Sequence, residues 1–502
     1  MTFEVRLASI LNGRFNRDSL ADLAGLALDA GEEERALPLL ERAARGSMDA
    51  RLWQWTGLLQ RALDQHEAAL QSFGQAVRLA PSDVSIARGH AQVTFEAGLD
   101  AIALFERACR LAPMAGDMVL GLAAARMAMG RGEEAAAALD TILIRSPMWI
   151  EGHTQLAQLR SMLGQPQAVE TSLMRALAAQ PGESALWYAL FDLHLRREDY
   201  ATLADRVNAA EKAGQADPFC AEYRAIAAAE LGDEERADTL FDVASAMESK
   251  LAIWRIRHLL RSGRAEWASR LIDNELMTER ATAVWPYAAA TWRLTGDSRG
   301  EWLENDSRFV TVMDLERNLP PLEQLAALLR SLHVAKGEYL DQSVRGGTQT
   351  DGPLLSRIEP IIRTARDAIT QAVTRYIAQL PPPDPSHPLL AGRRDRRVRF
   401  AGSWSVRLAA SGHHSNHVHP QGWISSALYV SLPRRQPDES AHAGWLVLGE
   451  PPAALGLDLP PRRMIEPREG QLILFPSWMW HGTRRFAQGE RLTIAFDVAP
   501  PR

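Results

Sequence analysis

The sequence predicts a chain of two architectures, a stack of helical hairpins followed by a compact all-β jelly roll. Residues 1 to about 285 are rich in alanine and leucine, with apolar residues at helical spacing. Within them a small-and-large residue pattern, closed by proline, recurs about every 34 residues. After about residue 396 the chain turns to short β-branched and aromatic runs parted by Gly, Pro and Asp. At 502 residues it is also long for a single core.

The repeat is read from its prolines. Pro81, Pro113, Pro147 and Pro181 are separated by 32, 34 and 34 residues. Five residues before them stand Ala76, Ala108, Ile142 and Ala176; eight before stand Phe73, Phe105, Leu139 and Leu173. Ala69, Ala101, Ala135 and Val169 stand twelve before. Small residues let two helices approach, larger ones fill the groove between hairpins, and proline ends the second helix. Turns such as "EAGLD", "MGRGEEA" and "LGDEERA" part the helices of each unit. This register resembles the tetratricopeptide repeat, with Trp53, Gly57, Ala69, Phe73, Ala76 and Pro81 matching most of one signature. The resemblance is clear for about four repeats, with related hairpins at "DAGEEERA" and "RSGRAEWA" extending the array. It implies a curved solenoid whose concave face holds a protein or peptide partner, with self-association into a homo-oligomer as the alternative.

Between 286 and 395 the repeat dissolves into a helical and loop connector, expected to pack on the C-terminal domain. "DQSVRGGTQT" (341–350) reads as a loop and a candidate substrate lid, and "LLSRIEPIIRTARDAITQAVTRYIAQL" as one or two amphipathic helices. "LPPPDPSHPLLAG" then breaks helix. "RRDRRVR" (393–399) reads as a solvated edge beside a strand. From 396 to 502, "RVRFAGSWSVRLA", "WISSALYVSL", "GWLVLG", "QLILF" and "RLTIAFDV" leave room for some eight strands, the spacing of a jelly roll.

Composition narrows the function classes. A net charge of −6 argues against nucleic-acid or anionic-membrane binding. Cys109 and Cys220 are too few for a disulfide framework or a thiolate zinc site. The charged N-terminus carries no secretory signal, and no apolar window is long enough to span a membrane. A cytoplasmic location is expected.

The chemistry gathers in the β region. In "SNHVHPQGW" (415–423), His417 and His419 stand two apart, so an extended chain points both to one side. His481 closes "GQLILFPSWMWHG", and Arg491 follows ten residues later. The last strand alternates, with Leu492, Ile494, Phe496 and Val498 on one face and Arg491, Thr493, Ala495 and Asp497 on the other. The same parity sets Ser425, Ala427 and Tyr429 opposite Ile424, Leu428 and Val430. A hairpin from His481 to the last strand would bring Arg491 beside the histidine. Each piece alone has a plainer reading. A His-x-His pair is most often a surface or core feature, and a strand arginine can simply face solvent beside Asp497. His413 and His414 read as turn residues, and Trp478 and Trp480 as packing at the barrel mouth.

Taken in order, histidine pair, distal histidine and arginine resemble the Fe(II)/2-oxoglutarate oxygenase superfamily, whose fold is a double-stranded β-helix. "WSVRLAASGHHSNHVHPQGWISSALYVSLP", "GWLVLGEPP" and "LILFPSWMWHGTRRF" resemble more closely a bacterial branch of such oxygenases fused to tetratricopeptide repeats. The resemblance implies Fe(II) held on one face by His417, His481 and a third ligand, read as His419 with water in its place as the alternative, and three positions left for a bidentate co-substrate and dioxygen. It implies Arg491 gripping the distal carboxylate of 2-oxoglutarate, with Thr493 and, more weakly, Tyr429 assisting. The expected activity is hydroxylation of a protein or peptide brought by the repeats. One departure stands out: the usual carboxylate two after the first histidine is replaced by His419. A three-histidine site also accepts zinc, copper or nickel. Two alternatives stay open, a cupin-like three-histidine metalloenzyme that does not use 2-oxoglutarate and a non-catalytic scaffold with a degenerate jelly roll. Against the cupin stand Gln421 and Gly422, where its glutamate is expected, and Trp478, where its glycine is.

Overall fold

The structure is a computed structural model and describes residues 1–13, 16–215, 219–244, 251–340 and 343–501. After a first helix, Phe3–Leu11, helices pair into hairpins, from Arg17–Ala30 with Glu33–Ala44 to Ala281–Thr295 with Arg299–Glu304. The turn inside each hairpin places one residue in left-handed backbone: Gly31, Asp64, Gly98, Gly130, Gly164, Glu198, Gly232, Gly263 and Gly296. These residues recur every 31 to 34 positions, so the array continues to Glu304, well past the segment where its prolines fade.

Packing explains the period of the large residues. Phe73 is fully buried between neighbouring helices that present Gly57 and Gly89 to its ring. A Cβ would lie 2.8 Å from that ring at Gly57 and 2.3 Å at Gly89. Large side chain and bare backbone interlock at the density of a protein interior.

The turn edge of the array lies against the C-terminal half. Arg396 pairs with Glu32, and Arg399 reaches Glu33 at 2.9 Å. Arg366 meets the Asp64 carbonyl at 3.2 Å, and the Ile358 amide meets that of Ala97 at 3.1 Å. The Lys336 and Gly337 amides both donate to Met162 O, at 2.7 and 2.9 Å. The basic run 393–399 is a solvated edge only at Arg393, Asp395 and Arg397, which are exposed, while Arg396 and Arg399 face the array. It carries the guanidiniums that dock the first hairpin.

Among the described residues nine strands form the β region: β1 (Thr311–Asp314), β2 (Val344–Gln349), β3 (Phe400–His414), β4 (Ile424–Ser431), β5 (Leu446–Leu448), β6 (Arg463–Ile465), β7 (Gln471–Pro476), β8 (His481–Thr483) and β9 (Arg491–Val498). They make an antiparallel six-stranded sheet, β1-β7-β4-β9-β3-β2, and a three-stranded sheet, β6-β5-β8. This is the jelly roll expected from the spacing, with two differences. Seven strands rather than eight follow residue 396, and the connector supplies β1 and β2. The stretch read as a lid loop is largely β2, pinned to β3 as a sheet edge; Asp341 and Gln342 lie outside the described residues.

The large sheet has one greasy and one polar face, as the alternation required. Leu428, Val430, Leu492, Ile494 and Phe496 bury against the helices Leu322–Leu332 and Pro360–Gln379, the latter being the single helix of the connector's amphipathic stretch. A second core joins the small sheet to the end of the solenoid, uniting Leu446, Leu448, Trp478 and Trp480 with Ile256, Leu260, Val284 and Tyr287. The two tryptophans thus pack on the last hairpins rather than at a barrel mouth, and Trp480 Nε1 donates to Pro286 O at 3.0 Å. Burying side chains of this size stabilises by roughly 1.5–3 kcal/mol each. The last hairpins and the jelly roll therefore share a core instead of hanging on a linker. Among the described residues, no helix is long and apolar enough to cross a membrane.

Candidate metal centre

The three histidines meet between the two sheets. His417 and His481 exchange backbone hydrogen bonds, 2.9 and 3.0 Å, in an isolated antiparallel bridge that stitches the β3–β4 connection to β8. His419 is fixed by its own amide, which donates to Ser477 O at 2.9 Å. Their ring centroids lie 4.1 Å (His417–His481), 5.0 Å (His417–His419) and 5.0 Å (His419–His481) apart. One ring nitrogen from each lies within 4.8 Å of the others.

Hydrogen bonding sets all three tautomers. His417 Nδ1 meets Ser415 O at 2.8 Å and His481 Nδ1 meets Met479 O at 2.9 Å. A carbonyl can only accept, so each Nδ1 carries the proton. His419 Nδ1 meets the Asp497 carboxylate at 2.8 Å, with the same consequence. Every lone pair offered to the centre is therefore at Nε2. Burial, aided by the neighbouring imidazoles, holds His417 and His481 well below the ordinary histidine pKa, so both stay neutral. Neutral, pre-oriented imidazoles are the donor set a divalent transition metal requires, and the residues fit such an ion.

Residues set aside in the sequence also enter the site. His414 is no turn residue: it ends β3, lines the cavity and stacks on His417 at 5.9 Å. Burial, with Arg491 nearby, pushes it down to about 3. Ser343 Oγ bridges His414 Nδ1 and His417 Nε2, 3.0 Å from each. Since His417 Nε2 must accept, the serine donates to it in the metal-free protein and receives from His414, and a metal bound at Nε2 would replace that hydroxyl proton.

Arg491 does not sit in a hairpin with His481. β8 belongs to the small sheet and β9 to the large one, and residues 484–490 cross between them, so the two side chains face one cavity from separate sheets. Arg491 is 2% exposed. Its Nη1 donates to Gly444 O at 2.9 Å and its Nη2 to Tyr429 Oη at 3.3 Å, while buried Nε has no partner. A buried guanidinium lacking an anion is costly, and its fork is the natural seat for a carboxylate. Thr493 lines the same cavity; Tyr429 touches Arg491 from within the second core. Val344, Leu446 and Phe475 supply apolar wall.

Residues 402–497 match a family model described as "Putative 2OG-Fe(II) oxygenase", and residues 98–159 match one for the tetratricopeptide repeat. No curated protein matches the chain. Similar solved structures include a tetratricopeptide repeat protein from Parabacteroides merdae, 17% identical over 47% of this chain and 95% of that one, with a TM-score of 0.30. YrrB, a TPR protein with an unusual peptide-binding site, is 16% identical over 38% and 98%, with a TM-score of 0.29. A Pseudomonas putida prolyl-4-hydroxylase is 17% identical over 39% and 94%, with a TM-score of 0.27. Two stretches of the chain thus match known families, one that of the tetratricopeptide repeat and one described as a putative 2OG-Fe(II) oxygenase.

Proposed function

We propose that the protein is an Fe(II)- and 2-oxoglutarate-dependent dioxygenase that hydroxylates a protein or peptide substrate recruited by its repeats. The observation that carries the reading is the pairing of three tautomer-fixed imidazoles with a buried Arg491 that has no carboxylate partner among the described residues. A metal site alone would suit a cupin or a binding module. The orphaned guanidinium favours an anionic co-substrate, and the family match supports 2-oxoglutarate in that role.

Each residue then has a task. His417, His419 and His481 hold the ion through Nε2. When bound, Fe(II) with 2-oxoglutarate supplies oxidative decarboxylation coupled to transfer of one oxygen atom from O2 to a C–H bond. Arg491 pairs with the distal carboxylate, and its charge, no longer unanswered, fixes the co-substrate's orientation. Thr493 adds a hydrogen bond from the same strand face. Val344, Leu446 and Phe475 keep water from the ion. The repeats support a macromolecular substrate, because tetratricopeptide arrays present extended binding surfaces.

Turnover tests the reading. Incubation with Fe(II), 2-oxoglutarate and oxygen is expected to release succinate, and His481→Ala to abolish the release. Wild-type protein that leaves 2-oxoglutarate intact in the presence of its captured partners would refute it.

A further inference from the structure

The expected first-sphere carboxylate is missing, yet a carboxylate stands directly behind its replacement. Asp497 lies on the polar face of β9 with Arg491 and Thr493. It is 9% exposed, and its Oδ1 receives two hydrogen bonds, from His419 Nδ1 at 2.8 Å and from Ser425 Oγ at 2.6 Å. Ser425 is in turn held against Ser477, whose carbonyl anchors the His419 amide. The close approach is built into the backbone: a Cβ at Gly422 would lie 2.5 Å from Ser477 Oγ and 3.2 Å from Asp497 Cβ. Among the described residues, Asp497 has no arginine or lysine partner; its one ion-pairing contact is His419.

We propose that Asp497 is a positioning residue that restores, across the His419 ring, the negative charge that a three-histidine set lacks. The inference rests on the metal-site reading above. His417 and His481 lean on neutral carbonyls, whereas His419 alone leans on an anion. A carboxylate behind a ligating imidazole fixes the ring and raises the basicity of its free nitrogen, and such partners change metal affinity by about 10- to 100-fold. The pair His419–Asp497 would then act together as the third, anionic ligand, with imidazole as the contact and carboxylate as the charge.

The test is anaerobic titration of the full-length protein with Co(II) against a competing chelator. Asp497→Asn keeps the shape and an oxygen acceptor but removes the charge, and is expected to weaken Co(II) binding about tenfold. Asp497→Ala, which also frees the ring, is expected to weaken it more. Ser425→Ala, which loosens the carboxylate, is expected to weaken it severalfold and decides the matter if the Asp497 variants do not fold. Asp497→Asn or Ser425→Ala binding within twofold of wild type would overturn the proposal while leaving the metal site standing. If His481→Ala binds Co(II) as wild type does, the metal-site reading falls, and the proposal with it.

Discussion

The guanidinium carbon of Arg491 sits 5.0 Å from the ring centroid of Tyr429, and the Tyr429 hydroxyl accepts one of its protons. The ring's negative face, its hydroxyl and one carbonyl support the guanidinium, and no carboxylate does so among the described residues, so the ligand-free site stores an unanswered charge. Arg491→Met should therefore stabilise the ligand-free protein, by about 1–2 kcal/mol, because an apolar isostere relieves a buried unpaired charge. Urea denaturation without added metal or co-substrate checks this. A destabilised Met variant would mean that the guanidinium is structurally satisfied and is not waiting for an anion.

Arg491→Lys should behave differently. Lysine keeps the charge but not the planar fork, so 2-oxoglutarate should bind at least tenfold more weakly than to wild type. Isothermal titration with Fe(II) replaced by Co(II) measures this directly. Equal affinity would remove the bidentate grip from the account.

Acid should destabilise the metal-free protein. Burial holds His414 at about 3 and His333 at about 4, so both remain neutral when folded. In the unfolded chain they protonate near the ordinary value of about 6.5. Their contribution is complete above that pH and is lost as pH falls toward the folded values, at about 1.4 kcal/mol per pH unit for each histidine. Urea midpoints at pH 7.5, 6 and 5 should fall in that order, and His333→Gln should flatten the trend. A midpoint constant across this range would contradict the buried, neutral assignment.

Gly89→Ala probes the repeat packing. The new methyl would press on the Phe73 ring, wedged in turn against Gly57, so the cost should be about 1–3 kcal/mol. Phe73→Leu in the same chain should recover part of it. If Gly89→Ala unfolds at the wild-type midpoint, the glycine–phenylalanine interlock is not what spaces the helices.

The legible parts of this chain were those with a period or an ordered set of reactive groups. Phe73, Phe105 and the four prolines announced the hairpins, and the alternation of Arg491 to Val498 separated a core face from a cavity face. The hairpins after residue 185 were harder to see because their mark is a backbone conformation. Glu198, like Asp64, takes the left-handed turn that glycine takes in the other hairpins, which no residue-type pattern displays. β2 hid behind its two glycines, and its strand character comes from pairing with β3. His414 and Asp497 were visible as residues but not as members of the site. Their roles depend on which atoms meet across strands, Ser343 with His414 and Asp497 with His419, and that is a property of the register.

The most direct measurement of the central claim is an anaerobic titration of the metal-free protein with Fe(II) and 2-oxoglutarate together, followed in the visible. A weak charge-transfer band that needs both components is expected in wild type and absent in Arg491→Ala and His481→Ala. Wild-type protein with no band and no stabilisation by 2-oxoglutarate would contradict the account.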